Sequence, residues 1–209
     1  MTFEAAMTEI CSIEDLHAHY GEVSALAARK EFNHLDRHAR EFIARSPFLV
    51  MSTADAEGWP DASPKGDAPG FVTVEDDRHL LLPDRPGNNR VDGFKNLMTN
   101  PKIGLIFFVP SVDHTLRVNG HARLLTDPAI CARFSVNGKP ARAVVKIATE
   151  QVFFHCGKAL IRSRLWKPEA WQPTSGLATL GAALADQIGG MSSGDAEAKV
   201  QESIRSRLY

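Results

Sequence analysis

The stretch "FLVMSTADAEGWPDASPKGDAPGFVTVEDDRHLLLP", Phe48 to Pro83, decides the fold. "FLVMST" is a near-continuous apolar run, and "ADAEGW" reads as a turn in which Gly58 supplies a permissive backbone. "PDASPK" then returns as an edge strand, because Pro60 and Pro64 have no N–H to give to a ladder. "GFVTVE" and "RHLLLP" form a second hairpin across Asp76-Asp77. Consecutive strand-like runs joined by tight turns belong to an antiparallel sheet rather than to alternating βαβ units.

The pattern differs on either side. Residues 1–47 read as helical. "IEDLHAHYG" is a short helix closed by Gly21. "EVSALAARKEFNHLDRHAREFIARSP" follows as a helix with Leu35, Ala39, Phe42 and Ile43 on one face, ended by Ser46-Pro47. After the "DRPGNN" loop, "RVDGFKNLMTN" is helical, with Val91, Phe94, Leu97 and Met98 sharing a face and Asn100-Pro101 stopping it. "KIGLIFFV" is the most buried-looking strand. "TLRVNGHARLLT" is a long strand interrupted by Gly120, "DPAICARFSV" a short helix, and "RAVVKIATEQVFFHC" one long strand or two. Beyond Gly157 come "RSRLW", a Trp/Pro-rich stretch and the helix "SGLATLGAALADQI". "GGMSSGD" reads as a linker to a polar, mobile tail. The sum is an α+β, mainly β chain of six or seven mostly antiparallel strands with flanking helices.

Bulk properties narrow the function. A formal net charge of −1 over 209 residues gives no global field for nucleic acid or an anionic membrane. The longest apolar run, "IGLIFFVP", is far short of the ~20 residues of a membrane helix. The first residues lack a basic segment followed by an apolar one, so no signal peptide is expected. Cys11, Cys131 and Cys156 fit neither a zinc motif nor a disulfide framework, which points to a reducing, cytoplasmic setting. No Gly-rich dinucleotide fingerprint follows a strand. His34 and His38 stand four apart on the expected helix, but "HLDRH" lacks the glutamate of a zinc-protease motif and a third ligand, so no metal is expected. Cys156, at the end of "FFHC", reads as a buried structural cysteine.

Two Gly/Pro-punctuated basic segments, "SPKGDAPGF" (Ser63–Phe71) and "PDRPGNNR" (Pro83–Arg90), bracket the second hairpin. Each is a complete turn without a ligand. Asn88 or Asn89 suits a helix N-cap, with Asp92 near a capping-box position. A helix start also offers unpaired N–H groups and a partial positive charge to an anion, and Lys65, Arg85 and Arg90 stand close enough in sequence to join it. Arg117, between Leu116 and Val118, takes the opposite face of its strand, open either to solvent or to the same cavity.

Together "SPFLVMSTADAEGWPDASPKGDAPGFV", "LLLPDRPGNNRVDGFKNLMTNPKIGLIFFVP", "TLRVNGHA" and "FFHCGKALIRSRLW" resemble the pyridoxamine 5′-phosphate oxidase-like FMN-binding proteins. They are most similar to a bacterial branch carrying SP[RK]GD, PDRPGNNR, LRVNG and HCGKALxRSxLW signatures. The resemblance spans about Ile13 to Gln187. It implies a split β-barrel, a homodimer, and FMN in a cleft between subunits. By position, Ser63 and Lys65 would contact the flavin, and Pro83, Asp84 and Arg85 would border its ring or ribityl chain. Asn88, Asn89 and Arg90 would hold the phosphate, Arg117 would touch the flavin, and Arg164 and Trp166 would lie in the segment closing over the ring. The implied domains are a helical extension (1–47), the FMN-binding barrel (48–166) and a C-terminal helical segment with its tail (167–209). The implied activity is an oxidoreductase acting on a small molecule. The same fold also admits a deazaflavin, haem, or a non-enzymatic flavin-binding or sensing role. One departure bears on substrate: the family's C-terminal Arg-x-His pair is missing from Arg162-Ser163-Arg164-Leu165-Trp166, which argues against vitamin B6 chemistry.

Overall fold

The computed structural model describes residues 9–209, in two compact units, Met1–Glu31 and Phe32–Tyr209. Within the described part of the first, Ser12 caps helix α1 (Ile13–Tyr20) and Ser24 caps helix α2 (Ala25–Arg29), each through its hydroxyl oxygen on a first-turn N–H. Neither helix carries a buried residue.

The second unit is built on a seven-stranded, wholly antiparallel sheet. Its strands are β1 (Phe48–Ala54), β2 (Pro60–Gly66), β3 (Thr73–Val74), β4 (His79–Pro83), β5 (Lys102–Phe108), β6 (Thr115–Leu125) and β7 (Val144–His155). They are ordered β2-β1-β5-β6-β7-β4-β3, and together with the flanking helices they make the split β-barrel of an α+β chain. The expected edge strand and both hairpins are present, with the prolines of β2 on the sheet's rim.

Alternation builds the core. Leu49 and Met51 of β1, Ile103, Leu105 and Phe107 of β5, and Leu116, Val118 and Ala122 of β6 all point to one side and are buried. Helix α3 (Arg37–Arg45) covers them with Ala39, Phe42 and Ile43, and helix α4 (Asp92–Thr99) with Phe94 and Leu97. A smaller cluster lies under helix α5 (Pro128–Ala132), where Cys131 and Phe134 pack on Leu81 and Val144.

Several expectations need correction. The helix expected across residues 22–46 is broken, because Phe32 exchanges two backbone hydrogen bonds with Val152 and the Leu35 N–H is drawn to the Asp77 carbonyl at 2.7 Å. Leu35 is still buried, but from a loop, and His34 lies before α3, so His34 and His38 do not share a helix. Val91 and Met98 are exposed rather than part of the buried face of α4. Strand β6 is not interrupted at Gly120. The irregularity is in β7, where Glu150 is an extra residue between the pairs Gly120–Thr149 and Asn119–Gln151. β7 is therefore one strand whose buried positions change parity, from Val145 and Ile147 to Val152. Gly120 allows the bulge: a Cβ there would lie 2.0 Å from the Ala148 carbonyl oxygen. Cys156 is exposed, not buried. Beyond it lies a helix the pattern did not suggest, α6 (Lys158–Ser163). The supposed mobile tail is helix α8 (Ser193–Arg207), capped by Ser192 and packed on α7 (Leu180–Ile188).

Candidate functional site

Register explains where a cavity forms. In the β1–β2 pair, Leu49, Met51 and Thr53 stand opposite Lys65, Ser63 and Asp61, so these six side chains share one face. On β1 that face is core. On β2 it is polar at all three positions, so the core ends there and a cavity of about 640 Å³ begins, within the range of small-molecule sites.

The N-terminus of α4 forms the opposite wall. Contrary to the expected Asn88 or Asn89 cap, the N-cap is Val91, and no side chain caps the helix. Val91 takes φ 50° and Asn89 φ 59°. The left-handed region is costly for a β-branched residue and is found mostly where the surroundings impose it. Between these two residues the Arg90 N–H donates to Asn88 Oδ1 at 3.0 Å, which leaves the first-turn N–H groups of α4 as the ones without a side-chain cap. Asp92 is not a capping-box partner: its carboxylate holds the Arg90 guanidinium and the Lys95 ammonium, the latter at 3.0 Å. These two cations hold the Asp92 carboxyl below its ordinary range. Gly93 lets the helix close on the sheet, since a Cβ would sit 2.9 Å from Met51 Cε and 3.0 Å from Asp61 Oδ2.

Of the residues singled out in the sequence, Ser63, Lys65, Asp84, Arg85, Asn88, Asn89 and Arg90 line this one cavity. Pro83 is buried at the end of β4 and is not on the wall. Arg117 lies over the Phe153 ring, 5.1 Å from its centroid, and lines a separate cleft with Asn119 and His155. Arg164 and Trp166 border a third cleft, where the Trp166 indole N–H donates to the Val112 carbonyl at 3.0 Å. Within one chain the predicted set therefore falls into three clefts, with Pro83 in none of them.

The charges are unevenly compensated. Arg85 is committed: its Nε donates to Asp67 Oδ2 at 2.6 Å and its Nη1 to the Phe134 carbonyl at 2.7 Å. Lys65 is over the Phe94 ring, 5.3 Å from its centroid. Arg142, which sequence reasoning missed, donates to Asn89 Oδ1 at 2.6 Å, a neutral partner. Only the β4–β7 pairing, Pro83 opposite Val144, brings it to this wall. Asp84 is half-buried, and burial pushes its carboxyl up despite the fields of Lys65, Arg142 and Arg85. Two buried polar atoms on β2, Asp61 Oδ2 and Ser63 Oγ, have no hydrogen-bond partner. Orphans of this kind cost roughly 1–3 kcal/mol each and call for a partner. Cations, an uncapped helix start and an unpartnered hydroxyl fit a phosphorylated ligand. Among the described residues, no three His, Cys, Asp or Glu side chains are grouped to hold a metal ion.

A split barrel with a charge-lined cavity between its edge strand and a helix start defines the class of protein. The chain belongs to the pyridoxamine 5′-phosphate oxidase family, whose sequence pattern matches residues 35–156. No curated protein matches the chain. Among solved structures it is similar to HupZ from Group A Streptococcus. That pair is 20% identical over 57% of this chain and 92% of the other, with a TM-score of 0.47. A candidate pyridoxamine 5′-phosphate oxidase from Lactobacillus delbrueckii is 23% identical over 58% and 95%, with a TM-score of 0.46. HutZ, a haem storage protein from Vibrio cholerae, is 13% identical over 58% and 94%, with a TM-score of 0.42.

Proposed function

We propose that the protein is an FMN-binding flavoprotein, acting as an oxidoreductase on a small molecule and assembled as a homodimer. The observation that carries this reading is the convergence of Lys65, Arg90, the uncapped start of α4 and the unpartnered Ser63 hydroxyl on one cavity. Lys65 and Arg90 would hold the phosphate with the first-turn N–H groups, and Ser63 and Asp61 would meet polar groups of the ribityl chain. Asp84 would lie along the ligand's path toward the second hairpin. Bound there, FMN supplies hydride or electron transfer through its N5, while the protein orients it and sets its electrostatics. Arg90 must leave Asp92 to reach a phosphate, so Asp92 tempers affinity. Arg117, Arg164 and Trp166 line other clefts of the same chain, and in this reading they reach the flavin of a second copy. With no Arg-x-His pair, pyridoxamine 5′-phosphate is not the expected substrate.

Mass spectrometry of the ligand released from purified protein tests the cofactor directly and separates FMN from a deazaflavin or haem. Paired titrations with FMN and riboflavin then test the site. Lys65→Ala should weaken FMN binding about ten-fold or more, as loss of a charge-assisted hydrogen bond does. Arg90→Ala should act in the same direction, and riboflavin affinity should barely move in either variant. Equal losses for both ligands would reduce the two loops to scaffold.

A further inference from the structure

Much of the cavity wall is loop. No helix or strand lies between Pro83 and Asp92, and Asp84, Arg85, Asn88, Asn89 and Arg90 of that loop line the cavity. A wall without a hydrogen-bonded ladder keeps its shape only through side-chain and single backbone anchors. Three are present. The Asp84 N–H donates to the Ala143 carbonyl at 2.9 Å, and Arg142 reaches Asn89 Oδ1. The third is Arg85, held by Asp67 and by the Phe134 carbonyl.

The Arg85 anchor depends on a distant part of the chain. The Tyr209 hydroxyl donates to Asp67 Oδ1 at 2.9 Å, and the Arg85 guanidinium carbon lies 5.9 Å from the centre of the Tyr209 ring. Asp67 Oδ1 also accepts the Ala68 N–H at 2.7 Å, while Oδ2 takes Arg85 Nε. Each carboxylate oxygen has its own partners, so the group cannot turn without giving some of them up. Asp67, whose side chain is 4% exposed, thus ties the end of β2, the loop after β4 and the end of α8 into one cluster.

Helix α8 is attached at two ends. Its one buried residue, Ala196, lies in the first turns, where α8 crosses α7 so closely that a Cβ on Gly181 would sit 2.4 Å from the Glu197 nitrogen. Its other end reaches the barrel at Tyr209, whose main-chain oxygen accepts from Lys139 Nζ at 3.1 Å. There Ser206, Arg207 and Tyr209 border a second cleft together with Asp84, Arg85 and Pro86, so the same loop faces both the cavity and the end of α8.

We propose that Tyr209 is a positioning residue for the cavity: the end of α8 is a strap that, through Asp67 and Arg85, fixes the 84–90 loop in its ligand-receiving form. Docking of the strap and occupancy of the cavity then reinforce each other, because the apparent affinity of a ligand scales with the fraction of molecules in which its wall is formed. Naming that ligand as FMN rests on the proposed function. The coupling between strap and loop stands without it.

Hydrogen exchange read by mass spectrometry, on the full chain with and without added FMN, tests the coupling. In ligand-free protein, Tyr209→Ala should speed exchange across residues 84–90 about five-fold or more, with the central strands β5 and β6 unchanged as an internal reference. Tyr209→Phe keeps the ring over Arg85 and loses only the hydroxyl, so its effect should be intermediate. Leu208→Ala, at an exposed neighbour, should behave as wild type. FMN titrations should show binding weakened about five-fold or more in Tyr209→Ala. Linkage is reciprocal, so FMN should slow exchange in the last turns of α8 in wild type and not in Tyr209→Ala. A tyrosine that merely stabilised the fold would not give that second effect. Unchanged exchange at residues 84–90 in Tyr209→Ala, or α8 exchange indifferent to bound FMN, overturns the proposal. Wild-type protein that fails to bind FMN counts against the flavin reading, and the ligand-free exchange then decides the strap. Equal FMN affinity in wild type and Tyr209→Ala does the reverse: the flavin reading stands and the strap falls.

Discussion

The Asp67 cluster offers the sharpest test of how the site is held together. Asp67 and Arg85 are joined at 2.6 Å, with side chains 4% and 19% exposed. Asp67→Asn keeps the shape, removes the charge and leaves Arg85 largely out of water without its counter-ion. Breaking a buried pair from one side costs about 3–5 kcal/mol. Arg85 keeps the Phe134 carbonyl and some contact with solvent, so the lower end, about 3 kcal/mol, applies. For a folded unit of this size that corresponds to a fall in Tm of about 6–12 °C. Removing both charges should restore part of the loss, because no buried charge is then left without its counter-ion. Asp67→Asn/Arg85→Met should therefore melt closer to wild type than Asp67→Asn does. The pH dependence supplies an independent check. Burial pushes the Asp67 carboxyl up, but the Ala68 N–H, the Tyr209 hydroxyl and Arg85 outweigh it, so the net shift is downward from 3.8. A depressed carboxyl adds stability above its unfolded value and loses it as pH falls through its folded value. The gap between wild type and Asp67→Asn should thus be full at neutral pH and close only below about 3.8, the ordinary value. Calorimetric or circular-dichroism melts across about pH 2–7 read both effects. A loss under about 1 kcal/mol at neutral pH, or a double variant as unstable as the sum of its parts, refutes the account.

Two other perturbations have clear signs. Asp84 is the opposite case: burial raises its carboxyl, so its contribution is greatest below 3.8 and is lost as pH rises through its folded value. Asp84→Asn should raise the Tm of ligand-free protein at neutral pH and make no difference in acid; a lowered Tm at neutral pH would show that the carboxylate is held by partners instead. Gly120→Ala places a methyl 2.0 Å from a backbone oxygen in the centre of the sheet, where neither strand can yield cheaply. It should cost about 3 kcal/mol or more and be read as a fall in the denaturant midpoint; a near-wild-type midpoint would mean that β7 can shed its bulge.

The strands were legible because period-two alternation is local. Leu49 and Met51, Leu116 and Val118 announce their buried faces within a few residues, and the prolines of β2 announce an edge. The polar face of β2, with Asp61, Ser63 and Lys65 opposite the core face of β1, shows only once the register of the pair is set. Lys65 and Arg90 could be suspected of meeting because one short hairpin separates them. Tertiary structure decided the rest, and the reason is sequence distance. Arg142 reaches the cavity only through the register of β4 on β7, far apart in the chain, which no local pattern encodes. Arg85 looks in sequence like a free ligand-binding arginine, but Asp67, Phe134 and Tyr209 converge on it from three other places in the chain. The helix expected through residue 32 yields to two backbone bonds from Val152, and the C-terminal stretch, polar enough to read as a tail, becomes a helix once α7 gives it a surface. Propensity and periodicity act over a turn or two of chain. Register, burial and charge pairing are settled by what the rest of the fold brings alongside, and in this protein that decides which arginines remain free to bind.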